Sequence, residues 1–209
     1  MRYYTDTQRN RHKDRFSYDW SKPMNTLTSS NTEFHEAGLT ADDHSLGSAQ
    51  AAVTLLEYGD YECPACAQAE PITRHLVDTR GSQIRFVFRH FPLVEVHPNA
   101  ELAAEAAEAA AAQGKFWEMH HLLFSAPHHL AMADLTKHAE SIGLDMVRFH
   151  AEMADHIYTQ RIQEHRRAGE MTSLRATPAF FLNGKVVDVS FGLDKLEEAV
   201  HALTGAKAA

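Results

Sequence analysis

The sequence predicts an α/β fold on three observations. A run of apolar and β-branched residues from Ala51 to Tyr58 stops at Gly59-Asp60, as a strand buried on both faces does. The motif Cys63-Pro64-Ala65-Cys66 follows at once and opens an apolar helical pattern, with proline at the first helical position. Far downstream, Asn183-Gly184 separates two short apolar runs in the manner of a hairpin, and one more helical pattern closes the chain.

Taken in order, residues 1 to about 48 carry little periodicity and much Asp, Asn, Ser, Thr and Arg. They read as a polar, flexible arm. Tyr3, Tyr4, Phe16, Tyr18 and Trp20 are many aromatics for a linker, so docking on the domain or support of a dimer is open to it. Residues 51–58 form the first strand. The helix from Pro64 lines one face with Ala69, Ile72 and Leu76 and is expected to kink at Pro71. Gln83 to Arg89 alternates polar with apolar and makes the second strand. The alanine-rich stretch Ala100 to Ala112 reads as a helix with Glu101, Glu105 and Glu108 on a solvated stripe. In the next helix, Lys115 to Phe124, the aromatics Phe116 and Trp117 read as core rather than as a substrate groove. Asp134 to Ile142 stops at Gly143, and Asp145 caps a helix that turns Met146, Phe149, Met153 and Ile157 inward, continuing or breaking near Asp155 on its way to about Gly169. Pro178 to Leu182 and Lys185 to Val189 form the hairpin, and Leu193, Leu196, Val200 and Leu203 share the last helical face.

Composition narrows the function. Lys and Arg number 20 against 28 Asp and Glu, a formal net charge of −8. Without a basic cluster, nucleic acid is not expected as a partner, since phosphate neutralisation needs concentrated cations. No apolar stretch approaches the roughly 20 residues that cross a bilayer, so no membrane span is expected. The first residues lack the apolar core of a signal peptide, which points to the cytoplasm unless a leader has been removed, in which case the periplasm follows.

Cys63 and Cys66 are the two cysteines of the chain, and a pair confined to one C-x-x-C serves chemistry or metal rather than stapling a fold. A thiolate is the species that attacks a disulfide. At a helix start, unpaired N–H groups and the positive dipole end face the Cys63 sulfur and lower its pKa, which makes Cys63 the nucleophile. Cys66, on the next turn, is placed to resolve the mixed disulfide and is expected to be buried with a high pKa. Asp60 and Glu62 oppose thiolate formation by charge and are expected at the surface. Zinc competes for the motif, but the histidine pair at usual spacing, His150 and His156, would point about 240° apart on a helix. The doublets His120-His121 and His128-His129 read as solvated or packed, and no metal site is expected.

The order of elements, with Glu57-Tyr58-Gly59-Asp60-Tyr61-Glu62 before the cysteines, Phe86 to Leu93, Gly114 to His120 and Ala176-Thr177-Pro178-Ala179-Phe180-Phe181-Leu182-Asn183-Gly184, resembles the thioredoxin superfamily, and within it the DsbA-like thiol-disulfide oxidoreductases. The resemblance implies a thioredoxin-like mixed sheet with flanking helices, formed by residues 49–91 and 177–206, with 92–176 as an inserted helical subdomain. It implies that Pro178 is the cis-proline beside the cysteines, that the Thr177 backbone pairs with a substrate polypeptide next to Pro64 and Ala65, and that Glu57 is a buried acid serving Cys66. The expected activity is disulfide exchange with protein or peptide thiols, through a redox-active Cys63–Cys66 disulfide, with no bound cofactor and with glutathione as a candidate redox partner. Two rivals are a glutathione-dependent transferase or isomerase of related fold, which usually replaces C-x-x-C by a single Ser or Cys, and a non-enzymatic metal-binding or docking module.

Overall fold

The computed structural model describes residues 38–205, and the rest of the arm, with its aromatic residues, lies outside them. The described chain forms β1 (His44–Gly47), β2 (Val53–Gly59), α1 (Pro64–Arg80), β3 (Ile84–His90), α2 (Ala100–Ala111), α3 (Phe116–Ser125), α4 (Met132–Ser141), α5 (Met146–Ala154), α6 (Thr159–Met171), β4 (Ala179–Leu182), β5 (Lys185–Val187) and α7 (Asp194–Thr204). The strands make one mixed sheet in the order β1-β3-β2-β4-β5, with β2 parallel to β3 and the other pairings antiparallel. The fold is thioredoxin-like, with five helices between β3 and β4.

Both faces of the sheet are covered, which explains the near-continuous apolar runs of its central strands. Leu55, Phe86, Phe88, Phe180 and Leu182 face the larger core, while Leu56, Tyr58, Val87, Phe91 and Phe181 face a smaller one. By the two-residue period of a strand, Glu57 shares the face of Leu55. The hairpin turn follows its sequence signal, with Asn183 and Gly184 at φ 48° and 80° and the Asn183 side chain accepting from the Thr54 N–H at 2.7 Å.

Four expectations need correction. The polar arm does not extend to residue 48, because β1 pairs with β3 and Asp43 is buried against Arg89. The glutamates of α2 are not a solvated stripe: Glu105 and Glu108 are each 3% exposed, covered by His156, His44, His90 and Arg161. Ile157 does not turn inward with Met146, Phe149 and Met153: the stretch breaks near Asp155, the alternative the sequence left open, into α5 and α6, with His156 at φ 50° in the break and Ile157 exposed. In α7, Thr204 is buried in place of Leu203.

Candidate active site

β2 delivers the chain to the site through Gly59, where a Cβ would fall 2.4 Å from the Phe88 ring. The turn that follows is built on Asp60. Its carboxylate accepts from the Glu62 N–H, the Leu93 N–H and His97 Nδ1, each at 2.8 Å, and its carbonyl accepts from the Cys63 N–H at 3.1 Å. Asp60 is therefore 2% exposed, a correction to its expected place at the surface. Glu62 is half-buried and accepts from the Asn99 backbone at 2.6 Å and side chain at 3.1 Å. Cys63 is the N-cap of α1, with extended backbone at φ −79° and ψ 120°, and Pro64 begins the helix.

Both cysteines are free thiols. The Cys63 thiol donates to the Thr177 carbonyl at 3.4 Å, and the Thr177–Pro178 peptide bond is cis. The Cys66 thiol bonds to the Cys63 sulfur; the Thr177 hydroxyl and the backbone N–H groups of Cys66 and Ala65 assist, and together they outweigh burial and bring the Cys63 pKa down to about 5. The expected backbone contribution is present, but the neighbouring thiol is the larger cause. Cys66 is wholly buried, and burial, its bond to Cys63 and the charge of Glu57 push its pKa up. Pro64 and Ala65 are exposed beside the buried sulfurs.

Glu57 is 2% exposed, and its Oε1 has no hydrogen-bond partner among the described residues. Burial first, then the charges of Glu70 and Cys63, raise it to about 8. The structure thus gathers Cys63, Cys66, Thr177, Pro178 and Glu57 in one place. Sequence reasoning missed three neighbours. Glu70 is buried one turn beyond Cys66, a charged residue on an apolar helical face that the i, i+4 spacing from Cys66 would have exposed. His121 Nδ1 donates to Glu70 Oε1 at 2.7 Å. His97 is raised, the bond to Asp60 and the charges of Asp60 and Cys63 outweighing the opposing effect of partial burial.

The histidine doublet at 120–121 is divided between two tasks. His120 is buried and shares a 3.1 Å hydrogen bond with the Tyr61 hydroxyl, while His121 serves Glu70. A different set of metal-type donors does converge: His44, His90 and Glu108 bring ligand atoms within 4.8 Å of one another. Arg161 Nε already donates to the same Glu108 oxygen at 2.9 Å, and among the described residues His90 Nδ1 has no partner of the kind that metal-binding imidazoles usually have. The cluster is an ion network joining β1, β3, α2 and α6.

The sequence profile of the family described as Thioredoxin matches residues 39–202. Among solved structures, a thioredoxin-like oxidoreductase from Silicibacter pomeroyi DSS-3 superposes with a TM-score of 0.70 at 26% identity, covering 87% of this chain and 100% of that one. BdbD from Bacillus subtilis gives a TM-score of 0.66 at 23% identity, covering 77% and 92%. The thiol-disulfide exchange protein α-DsbA2 from Wolbachia pipientis gives 0.67 at 18%, covering 82% and 90%. Among curated relatives, the Na(+)/H(+) antiporter NhaA 1 of Salinispora arenicola is 48% identical over 158 residues, 76% of this chain and 24% of the antiporter. The chain spans about a quarter of the length of the curated relatives it matches. With the family profile covering most of the molecule, and with its fold shared with DsbA-like thiol-disulfide oxidoreductases, the chain belongs to the thioredoxin family.

Proposed function

We propose that this chain exchanges disulfides with protein or peptide thiols through Cys63 and Cys66. The observation that carries the reading is the helix-capping Cys63 thiol, acidified to about 5 and placed 3.4 Å from the Thr177 carbonyl beside Pro178. The Cys63 thiolate attacks one sulfur of a substrate disulfide, forming a mixed disulfide and expelling a substrate thiolate. Cys66 gives its proton to Glu57 and attacks the Cys63 sulfur, which closes the Cys63–Cys66 disulfide and releases the second substrate sulfur. The same steps in reverse oxidise a dithiol. The exposed Pro64 and Ala65 and the Thr177 backbone offer the contact for the substrate chain. Glutathione, as a small thiol, would return the disulfide to the dithiol. The antiporter name describes polypeptides of which the match covers about a quarter, and the reading here is confined to that quarter.

The test is insulin reduction with dithiothreitol as electron source. Cys63→Ser should abolish it, whereas Cys66→Ala should accumulate mixed disulfides visible by mass spectrometry under non-reducing conditions. Equal trapping by both variants would overturn the assignment of roles. Stoichiometric zinc with unreactive thiols would favour a binding module instead.

A further inference from the structure

Two acids stand just before the nucleophile, and each takes its partner from the segment that follows β3. Glu62 is set against the start of α2, accepting from the Asn99 N–H at 2.6 Å and from its side-chain amide at 3.1 Å. Asp60 is set against His97, whose Nδ1 donates to Oδ2 at 2.8 Å beside the Leu93 N–H, also at 2.8 Å. The Asp60 side chain is wholly buried, while that of His97 is 19% exposed. His97 is itself fixed, because its N–H and that of Val96 both donate to the Leu93 carbonyl at 2.9 Å. Backbone N–H groups at a helix start keep their polarity at any pH, whereas an imidazole loses its charge near neutrality. Of the two partners, His97 is the one that can be switched.

We propose that His97 is a positioning residue whose proton answers to the redox state of Cys63: bonded to Asp60, it holds the turn that carries the sulfur and supplies a countercharge for the thiolate. The proposal rests on the oxidoreductase reading above and names what regulates it. The contacts run from His97 to Asp60 Oδ2, from Asp60 Oδ1 to the Glu62 N–H at 2.8 Å, and from the Asp60 carbonyl to the Cys63 N–H at 3.1 Å. Imidazole and sulfur are thus tied to one four-residue turn. Pro64 and Ala65, between the cysteines, carry no charge, so a cation beside the thiolate comes from outside the motif.

Because the Asp60 carboxylate accepts from Nδ1, that nitrogen keeps its hydrogen, and the titrating proton is the one on Nε2. The hydrogen bond survives the titration and the charge does not. When a substrate dithiol reduces the Cys63–Cys66 disulfide, the S–S bond breaks, two electrons pass to its sulfurs, and the substrate closes its own disulfide and gives up two protons. One stays on Cys66. The acidic Cys63 keeps none, so His97 takes up the other wherever it is neutral in the disulfide form and protonated in the dithiol form, and elsewhere that proton goes to water. The substrate dithiol is the reductant, and nothing further is consumed.

The charged and titratable groups facing His97 are Asp60 and Glu62 in the turn and Cys63 at the cap of α1. On its own loop Glu95 is paired with Arg166 of α6 at 3.0 Å, and the acid in the first turn of α2 is Glu101. Partial burial lowers the His97 pKa, but the bond to Asp60 and then the charges of Asp60, Cys63 and Glu62 raise it above the ordinary 6.5. In the disulfide form Cys63 bears no charge, so His97 binds its proton more weakly there. By linkage, a protonated His97 favours the dithiol.

The test titrates the His97 ring by 15N NMR in the full chain, once reduced with dithiothreitol and once oxidised with diamide. Its midpoint should lie about 0.3–0.7 pH unit higher in the dithiol form. His97→Gln keeps a side-chain N–H for Asp60 but carries no charge. Relative to the unmodified protein, its equilibrium with glutathione should move about two- to five-fold toward the disulfide at pH 6 and coincide at pH 9. A purely structural role would shift both pH values alike and would overturn the proposal. Insulin reduction by the unmodified protein separates the two readings. Normal reduction with the same His97 midpoint in both forms overturns the coupling alone; separated midpoints without reduction uphold the coupling and overturn the oxidoreductase reading.

Discussion

Cys63 and Thr177 stand 114 positions apart in the chain, yet the Cys63 sulfur lies 3.4 Å from the Thr177 carbonyl oxygen. One residue thus presents two groups to the sulfur: a carbonyl that accepts from the thiol, and a buried hydroxyl with no other partner among the described residues that stabilises the thiolate. The two protonation states are each given a partner from the same loop.

Thr177→Val keeps the shape and the carbonyl but removes the hydroxyl. The Cys63 pKa, about 5 in the unmodified protein, should rise by about 0.5–1 unit. Thiolate absorbance against pH measures it. The reduction potential should fall in parallel, since a less stable thiolate favours the disulfide. An unchanged midpoint would assign the acidity to Cys66 and the helix backbone alone.

Glu57 titrates near 8 in the folded chain against 4.5 for an ordinary glutamate. Between those values the folded state holds a proton that the unfolded state has lost, so stability declines as pH rises from about 4.5 through 8. Glu57→Gln stays neutral and should erase the decline. In urea unfolding of the dithiol form, the variant should match the unmodified protein near pH 5 and exceed it by roughly 2–4 kcal/mol near pH 9. Parallel curves at all pH values would show that the acid is solvated.

Arg89 anchors the segment before β1. Its Nε and one terminal nitrogen donate to the two Asp43 oxygens at 2.7 Å each, and it also donates to the Tyr58 hydroxyl at 3.1 Å and the Gly38 carbonyl at 2.6 Å. Asp43→Leu would leave the guanidinium without its carboxylate and should cost about 3–5 kcal/mol in chemical unfolding. Adding Arg89→Met should recover much of the loss, because the pair is then removed whole. A double variant less stable by the sum of the singles would mean that the charges do not interact.

Glu108 is buried, which opposes ionisation, yet the hydrogen bonds and charges of His44 and His90 hold its carboxyl below the usual range. A depressed carboxyl contributes stability that is present above the ordinary 4.5 and lost as pH falls through the folded-state value. Glu108→Gln should therefore lower stability near pH 7 by roughly 2–4 kcal/mol and flatten the acid limb of the pH–stability curve. Acid unfolding with the same slope in both proteins would count against the network.

By itself the sequence determined the features whose causes are local. The buried strand ending at Gly59, the proline-started helix with Cys63 as its cap, the Asp145 cap and the Asn183-Gly184 turn each follow from residues within one or two turns of each other, where backbone sterics and unpaired N–H groups act. The C-x-x-C spacing likewise carried the proposal of dithiol chemistry. The tertiary structure decided what covers each face. Helical periodicity shows that Glu101, Glu105 and Glu108 lie along one stripe, but whether water or His156, His44, His90 and Arg161 meets it depends on where β1 and α6 pack. His44 to Gly47 has no strong strand pattern and is ordered by pairing with β3, next to the Asp43–Arg89 contact. The meeting of Cys63 with Thr177, and of Glu70 with His121, joins segments that share no local signal. Burial then changes the chemistry, because removal from water raises one carboxyl and leaves a paired one charged according to neighbours that only folding supplies.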